Sequence, residues 1–190
     1  LDVGANYGVF SSVFARVAPA ARVISIEPIP QTFEALSDNV KRLSLKNVSL
    51  MNIAIGEANG KVRMTNSADP ATNRIDTGGE IDIGLRSLDS LVQEKELDGR
   101  IFLKIDFEGA ELQVLKGARR IFSDKRVIGG LIEICPGNLK RFETNAMDIW
   151  LWLSSVGYSL VSLETDEPLA ESDIQALGRN ILINMAIRPL

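Results

Sequence analysis

The chain opens on Leu1-Asp2-Val3, which reads as a buried strand and runs straight into Gly4-Ala5-Asn6-Tyr7-Gly8. Directly after it Val9, Phe10, Val13, Phe14 and Val17 recur at helical spacing. Strand, glycine turn and helix follow one another with no room for a hairpin, and this start constrains the fold more than any other feature. Pro19 closes the helix, residues 22–26 read as a second strand ending in Glu27-Pro28, and residues 31–43 as a second helix with Phe33, Leu36, Val40 and Leu43 on one face. A third strand is expected over 48–55, stopping at Gly56. Short apolar strands alternating with amphipathic helices predict an α/β fold, a mostly parallel sheet with helices on both faces.

The period changes over residues 60–86. Val62 and Met64, then Ile81, Ile83 and Leu85, alternate with polar residues, and the polar stretch 65–80 joins them. This reads as a strand pair with a long mobile connector, inserted into the framework of a single domain that covers 1–190. The α/β rhythm then resumes: a helix opened by a Ser87 cap, a strand at Ile101–Ile105, a helix over 111–122, a strand at Val127–Ile134, a helix over 145–156, and strands at 158–163 and 181–187. Seven framework strands are therefore expected.

Composition removes whole classes of chemistry. With no histidine, Ser-His-Asp and Cys-His catalysis, histidine bases and histidine-ligated metals are excluded. Cys135 is the single cysteine, so an intrachain disulfide and a cysteine-built metal site are excluded as well. The formal charge of −4 argues against a nucleic-acid partner. The longest apolar stretch, about 127–135, is far shorter than the roughly 20 residues that span a bilayer, so a cytoplasmic domain without a membrane span is expected. Leu1 is not methionine, and the sequence is expected to lack an N-terminal segment.

The turn after the first strand decides the ligand class. Asp2-x-Gly4-x-x-x-Gly8 departs from the G-x-G-x-x-G pattern that lets backbone approach a pyrophosphate, because Asn6 stands where a glycine would be needed. An acidic residue ahead of the turn repels a diphosphate and suits a ligand carrying an ammonium and a sulfonium. Glu27, at the end of the next strand, can accept bonds from both hydroxyls of a ribose. The set fits S-adenosylmethionine (SAM) better than NAD; the competing explanation is that the glycines serve only tight packing and Glu27 is a solvated strand end.

These residues resemble a known family. LDVGANYG at 1–8, Glu27-Pro28 with Phe33 and Asn39 behind it, NIAIG at 52–56, SLDSL at 87–91, LKIDFEGAE at 103–111 and VLKGA at 114–118 are similar to the FkbM-type SAM-dependent methyltransferases. The resemblance runs from residue 1 to about 135. It implies a Rossmann-like class I methyltransferase fold with a seven-stranded sheet whose last strand is antiparallel, and O-methylation of a hydroxyl on a small molecule, sugar or glycan. By the resemblance Asp2, Gly4 and Gly8 frame the methionine end of SAM with Asn6 beside it, Glu27 holds the ribose, and Ala54 lies near the adenine. Asp106 and Glu108, at the end of the fourth strand, face the transferred methyl.

With no histidine present, the proton acceptor is sought among Asp106, Glu108 and Glu133, and position favours the first two. Asp106 and Glu108 nominally share one face of the strand, and the turn into Gly109 would swing Glu108 towards the acceptor. Lys104 is expected to pair with a carboxylate, and Trp150 and Trp152 to pack. The basic stretch Lys116, Arg119, Arg120, Lys125 and Arg126 is expected to be a solvated face. No metal site is expected, since Glu133-Ile134-Cys135-Pro136 lacks the paired oxygen ligands of catechol-type enzymes. Asp106-Phe107-Glu108-Gly109 does not match the motif of amino-methylating DNA enzymes, and Cys135-Pro136 is the reverse of the cytosine-methylating one. A metal-dependent catechol-type enzyme and a non-catalytic SAM-fold binding module stand as alternatives.

Overall fold

A computed structural model describes residues 1–67, 73–178 and 182–190. The chain divides into two compact units, residues 1–54 with 59–85, and residues 55–58 with 86–190. In the first unit β1 (Asp2–Val3), β2 (Val23–Ile26) and β3 (Val48–Met51) lie parallel in the order β3-β2-β1, with Asp2 opposite Ser25 and Val23 opposite Val48. Helices α1 (Val9–Val17) and α2 (Pro30–Arg42) follow β1 and β2.

The apolar stripe of α1 does not face the core. The helix buries Ser11 and Ala15, while Val9 and Val17 are 70% and 79% exposed and Phe10 and Val13 are exposed as well. The reason lies on β1. Asp2 is fully buried and needs a donor, which Ser11 Oγ supplies at 2.5 Å while sitting 2.6 Å from Ser25 Oγ. The helix is oriented by this polar contact and by the close approach that Ala15 permits. Gly8 (φ +86) is equally constrained, because a Cβ there would fall 2.5 Å from Leu36 Cδ1 of α2.

The third predicted strand breaks in two. Asn52 turns the chain by donating from Nδ2 to the carbonyls of Glu27 and Pro28, both at 2.9 Å, and β4 (Ala54–Ile55) then joins a different sheet. That sheet has the order β4-β6-β5, with β5 (Gly60–Met64) antiparallel to β6 (Ile81–Arg86) from Gly60↔Leu85 to Met64↔Ile81. The expected strand pair is therefore two strands of a three-stranded sheet. Residues 68–72 of the connector lie outside the described residues. Its flanks are tied by Asn73, whose Oδ1 accepts from Ser67 N at 2.7 Å and whose Nδ2 donates to Ser67 O.

The second unit carries β7 (Ile101–Ile105), β8 (Val127–Ile134), β9 (Tyr158–Ser162) and β10 (Ile183–Pro189) in the order β7-β8-β10-β9. β7 and β8 are parallel, and β10 runs antiparallel to both of its neighbours, as expected of the last strand. That strand begins at Ile183, and Ile181 of the expected span lies outside the described residues. The fold is thus α/β, with seven mostly parallel framework strands.

Helix α3 (Leu88–Glu94) has the expected Ser87 cap, which accepts from Ser90 N. The helix expected over 111–122 is two, α4 (Glu111–Lys116) and α5 (Arg119–Ser123). Two contacts interrupt it. Gly117 is pressed so close to Gly56 that a Cβ would stand 2.0 Å from the Gly56 carbonyl oxygen, and its own carbonyl accepts from Asp89 N at 2.8 Å. Asp89 then caps α5, accepting from Arg120 N at 2.8 Å and Ile121 N at 3.1 Å.

After β8 come α6 (Pro136–Leu139), α7 (Ala146–Ser155), opened by an Asn145–Asp148 capping box, and α8 (Glu171–Gln175). Phe122 meets Trp152 and Tyr158 edge-on at 5.2 and 4.9 Å, and Trp150 Nε1 donates to Leu169 O, so both tryptophans pack. The basic stretch is not simply solvated. Arg119 stacks over Trp152, Lys125 bonds the Val156 carbonyl, and Arg126 bonds those of Leu97 and Gly99.

The Gly117–Gly56 contact leaves no space for a methyl group. Gly117→Ala is expected to destabilise the chain by about 1–3 kcal/mol, the scale of overpacking; a urea unfolding midpoint unchanged from the parent would contradict that contact.

Candidate active site

In the first unit the turn after β1 is built on left-handed residues, Gly4 (φ 75), Asn6 (φ 49) and Gly8 (φ 86). Gly4 N and Ala5 N both donate to Ile26 O, which ties the turn to the end of β2. Glu27 follows directly and is 5% exposed. Its Oε2 accepts from Asn6 N at 2.9 Å and its Oε1 from Ile29 N at 3.0 Å, so one carboxylate holds both the β1 turn and the entry to α2. Asp2, Gly4, Asn6, Gly8 and Glu27 are thus drawn together. Ala54 is fully buried in β4.

The donor and acceptor balance of this turn is informative. Asn6 Oδ1 is buried and has no hydrogen-bond partner among the described residues, a condition that costs roughly 1–3 kcal/mol until a donor arrives. Asp2 and Glu27 also present oxygen. A site with buried acceptors suits a ligand rich in donors, with an ammonium and hydroxyls, and repels a phosphate. The residues therefore fit SAM.

In the second unit β7 ends at Ile105, so Asp106 and Glu108 lie in a turn rather than on the strand, and strand alternation does not set their directions. Asp106 Oδ2 accepts from the nearly buried Lys104 Nζ at 3.1 Å, the expected carboxylate pairing, and Asp106 also shares a hydrogen bond with Glu133 of β8. Burial, followed by the negative charges of Asp106 and Glu108, raises the Glu133 carboxyl to about 7, with Lys104 pulling the other way. Glu108 takes a left-handed conformation (φ 50), and its Oε2 accepts from Asn138 Nδ2 at 2.8 Å. The structure thus brings Glu133 to Asp106 through a hydrogen bond and anchors Glu108 to α6.

Two residues of this site were not singled out in the sequence. Glu111 is 3% exposed, and its Oε1 accepts from Phe107 N at 3.1 Å and Gly109 N at 3.0 Å. Burial raises its carboxyl to about 7, with Asp106 adding to the shift and the backbone bonds opposing it. Asn138 is the second. In the linear sequence Glu111 is the last residue of the LKIDFEGAE run and Asn138 an amide just past Pro136-Gly137, and neither announces a contact across a turn.

The model of the Methyltransferase FkbM domain matches residues 2–160. The chain belongs to the FkbM methyltransferase family. Hexuronic acid methyltransferase AglP of Haloferax volcanii is 32% identical over 138 residues, 72% of this chain and 55% of that protein. Methyltransferase sdnD of Sordaria araneosa is 28% identical over 62% of the chain and 59% of its own length. This FkbM domain therefore spans little more than half the length of these relatives. Among solved structures, Methyltransferase FkbM from Methylobacillus flagellatus KT matches with TM-score 0.62 and 20% identity, covering 98% of this chain and 42% of that one. SMU.1697c, a methyltransferase-like protein of Streptococcus mutans in complex with SAH, matches with TM-score 0.54 and 12% identity over 100% of this chain and 86% of its own. These likenesses show the class I methyltransferase fold. No described helix is long and apolar enough to cross a membrane.

The raised carboxyls of Glu111 and Glu133 give a stability signature. Both titrate near 7 in the folded chain and near 4.5 once unfolded, so folding takes up protons between those values. Their contribution is complete below about 4.5 and is lost as pH rises through 7. Urea midpoints are expected to fall between pH 5 and 7.5, with a shallower fall in Glu133→Gln; a variant with the parent's full slope would contradict the assignment.

Proposed function

We propose that this FkbM domain is a SAM-dependent O-methyltransferase of the cytoplasm that methylates a hydroxyl on a sugar or related small molecule. The observation that carries the SAM assignment is the acceptor-rich turn, with Asn6 Oδ1 buried and lacking a donor among the described residues. The likeness to a hexuronic acid methyltransferase supports a sugar-type acceptor. In this reading Asn6 Oδ1 and Asp2 serve the ammonium end, Gly4 and Gly8 allow close backbone approach, and Glu27 accepts from the ribose hydroxyls. Ala54 lines the adenine.

When bound, SAM supplies a methyl group on a cationic sulfur, a leaving group that needs no acid. The protein contributes alignment, which is worth roughly 7–11 kcal/mol, and acceptance of the hydroxyl proton, worth about 10²–10⁴-fold. Glu108 suits the role of proton acceptor, because it stands in the turn just past the end of β7 and Asn138 anchors its carboxylate there. Asp106, bonded to Lys104 and Glu133, is the more constrained of the two.

Two measurements test this. Glu27→Ala is expected to weaken SAM by about 1.5–3 kcal/mol in a calorimetric titration, the scale of hydrogen bonds to a charged group; unchanged affinity with the fold intact would refute the placement, and no SAM binding by the parent domain would refute the assignment itself. Single-turnover transfer to a panel of hexuronic acid glycosides should slow about 10²-fold or more in Glu108→Gln. A near-normal rate across pH would move the proton to Glu133, or point to an acceptor that is already an anion.

A further inference from the structure

We infer that Glu111 is a positioning residue: its buried carboxylate clamps the Phe107–Glu108–Gly109 turn and thereby sets where the Glu108 carboxylate stands. The inference deepens the proposed function and rests on its assignment of Glu108 as proton acceptor. All of the residues involved lie in one compact unit.

The turn has an unusual shape to maintain. Glu108 is left-handed at φ 50, a conformation that residues with a Cβ seldom adopt, and Gly109 follows at φ 104. Gly109 takes its positive φ freely, and Ala110 N closes the turn by donating to Phe107 O at 3.0 Å, but Glu108 carries a Cβ and is the residue that needs further support. That support comes from the first residue of α4. Glu111 folds back so that a single oxygen, Oε1, receives the N–H groups on either side of Glu108, from Phe107 at 3.1 Å and from Gly109 at 3.0 Å. The Phe107 N–H lies in the peptide plane between residues 106 and 107 and the Gly109 N–H in the plane between 108 and 109, so one acceptor receiving both restrains the Phe107–Glu108 segment that joins those planes. Glu111 is 3% exposed, so water cannot replace it.

The far side of the turn is closed as well. A Cβ on Gly109 would stand 2.5 Å from the Asn138 carbonyl oxygen, and Asn138 Nδ2 reaches Glu108 Oε2 at 2.8 Å. Glu111 therefore anchors the backbone and Asn138 the side-chain tip. The two anchors together hold the Glu108 carboxylate beside Asn138. Misplacing a reacting group by about 1 Å is enough to cost on the order of 10²-fold in rate, so the clamp matters to chemistry and not only to folding.

The test uses Glu111→Leu, which keeps the bulk and removes the acceptor, and Glu111→Gln, whose Oε1 can still receive both N–H groups. Amide hydrogen exchange at Phe107 and Gly109 and single-turnover transfer from SAM to the hexuronic acid glycosides are measured on both. Glu111→Leu should speed exchange at those two amides at least tenfold and slow transfer about 10²-fold, with the KM for SAM within twofold of the parent. Glu111→Gln should restore both. Should Glu111→Leu fail to fold, Glu111→Asp, whose carboxylate is withdrawn by one methylene, is expected to show the same pair of changes in milder form.

Unchanged exchange at Phe107 and Gly109 in the folded variant would overturn the clamp. Faster exchange with an unaltered transfer rate, a loss confined to SAM affinity, or a Gln variant as slow as Leu would overturn the positioning role. A normal rate in Glu108→Gln would instead remove the reading on which this inference rests, and amide exchange would still report whether the clamp exists.

Discussion

The Glu27 carboxylate is the constraint on which the first unit depends. It sits at the end of β2, nearly withdrawn from water, and a buried carboxylate is tolerable only when its oxygens receive donors. Two backbone N–H groups do this, one from the β1 turn at Asn6 and one from the start of α2 at Ile29. A single side chain thus joins two βα connections, and the left-handed Asn6 is held in place by the same bond. Asp2 repeats the arrangement one strand away through Ser11 and Ser25. Satisfying these two acids takes precedence over burying apolar surface, which is why α1 turns Ser11 inward and leaves Val9 and Val17 in solvent.

The second unit meets the same physical problem with four carboxyl groups. Asp106, Glu108, Glu111 and Glu133 gather around the end of β7, with Lys104 as the cation that the structure pairs with Asp106. Glu111 is supplied by backbone N–H groups, Glu108 by Asn138, and Asp106 by Lys104. Glu133, beside two other carboxylates, holds a proton up to about pH 7. Such a cluster is costly for stability and useful for moving protons, a combination usual where perturbed carboxyls sit at a functional site.

Much of this was legible along the chain because parallel α/β architecture leaves a periodic record. The strands at Ile101–Ile105 and Val127–Ile134, the Ser87 cap and the break at Gly8 are local matters of hydrophobic period, capping chemistry and backbone freedom. Where the chain departs from its periodicity, the cause is a partner distant in sequence. Asn52 splits the third strand because it bonds the carbonyls of Glu27 and Pro28, and Gly117 splits a helix because Gly56 and Asp89 meet it there. No local propensity encodes those contacts.

The same division runs through the candidate site. Sequence alone determined which residue types follow the strands, Asp2, Gly4, Asn6, Gly8, Glu27, Asp106 and Glu108, and with them the expectation of a ligand rich in donors rather than phosphates. That follows from chemistry carried by each side chain wherever it points. Only the tertiary structure decided the pairings. It took Glu108 off the strand and into a left-handed turn, joined Glu133 to Asp106, and turned Glu111 back onto the backbone of residues 107 and 109. Those outcomes depend on burial, which sets how strongly a carboxylate demands donors, and burial is a property of the packed chain.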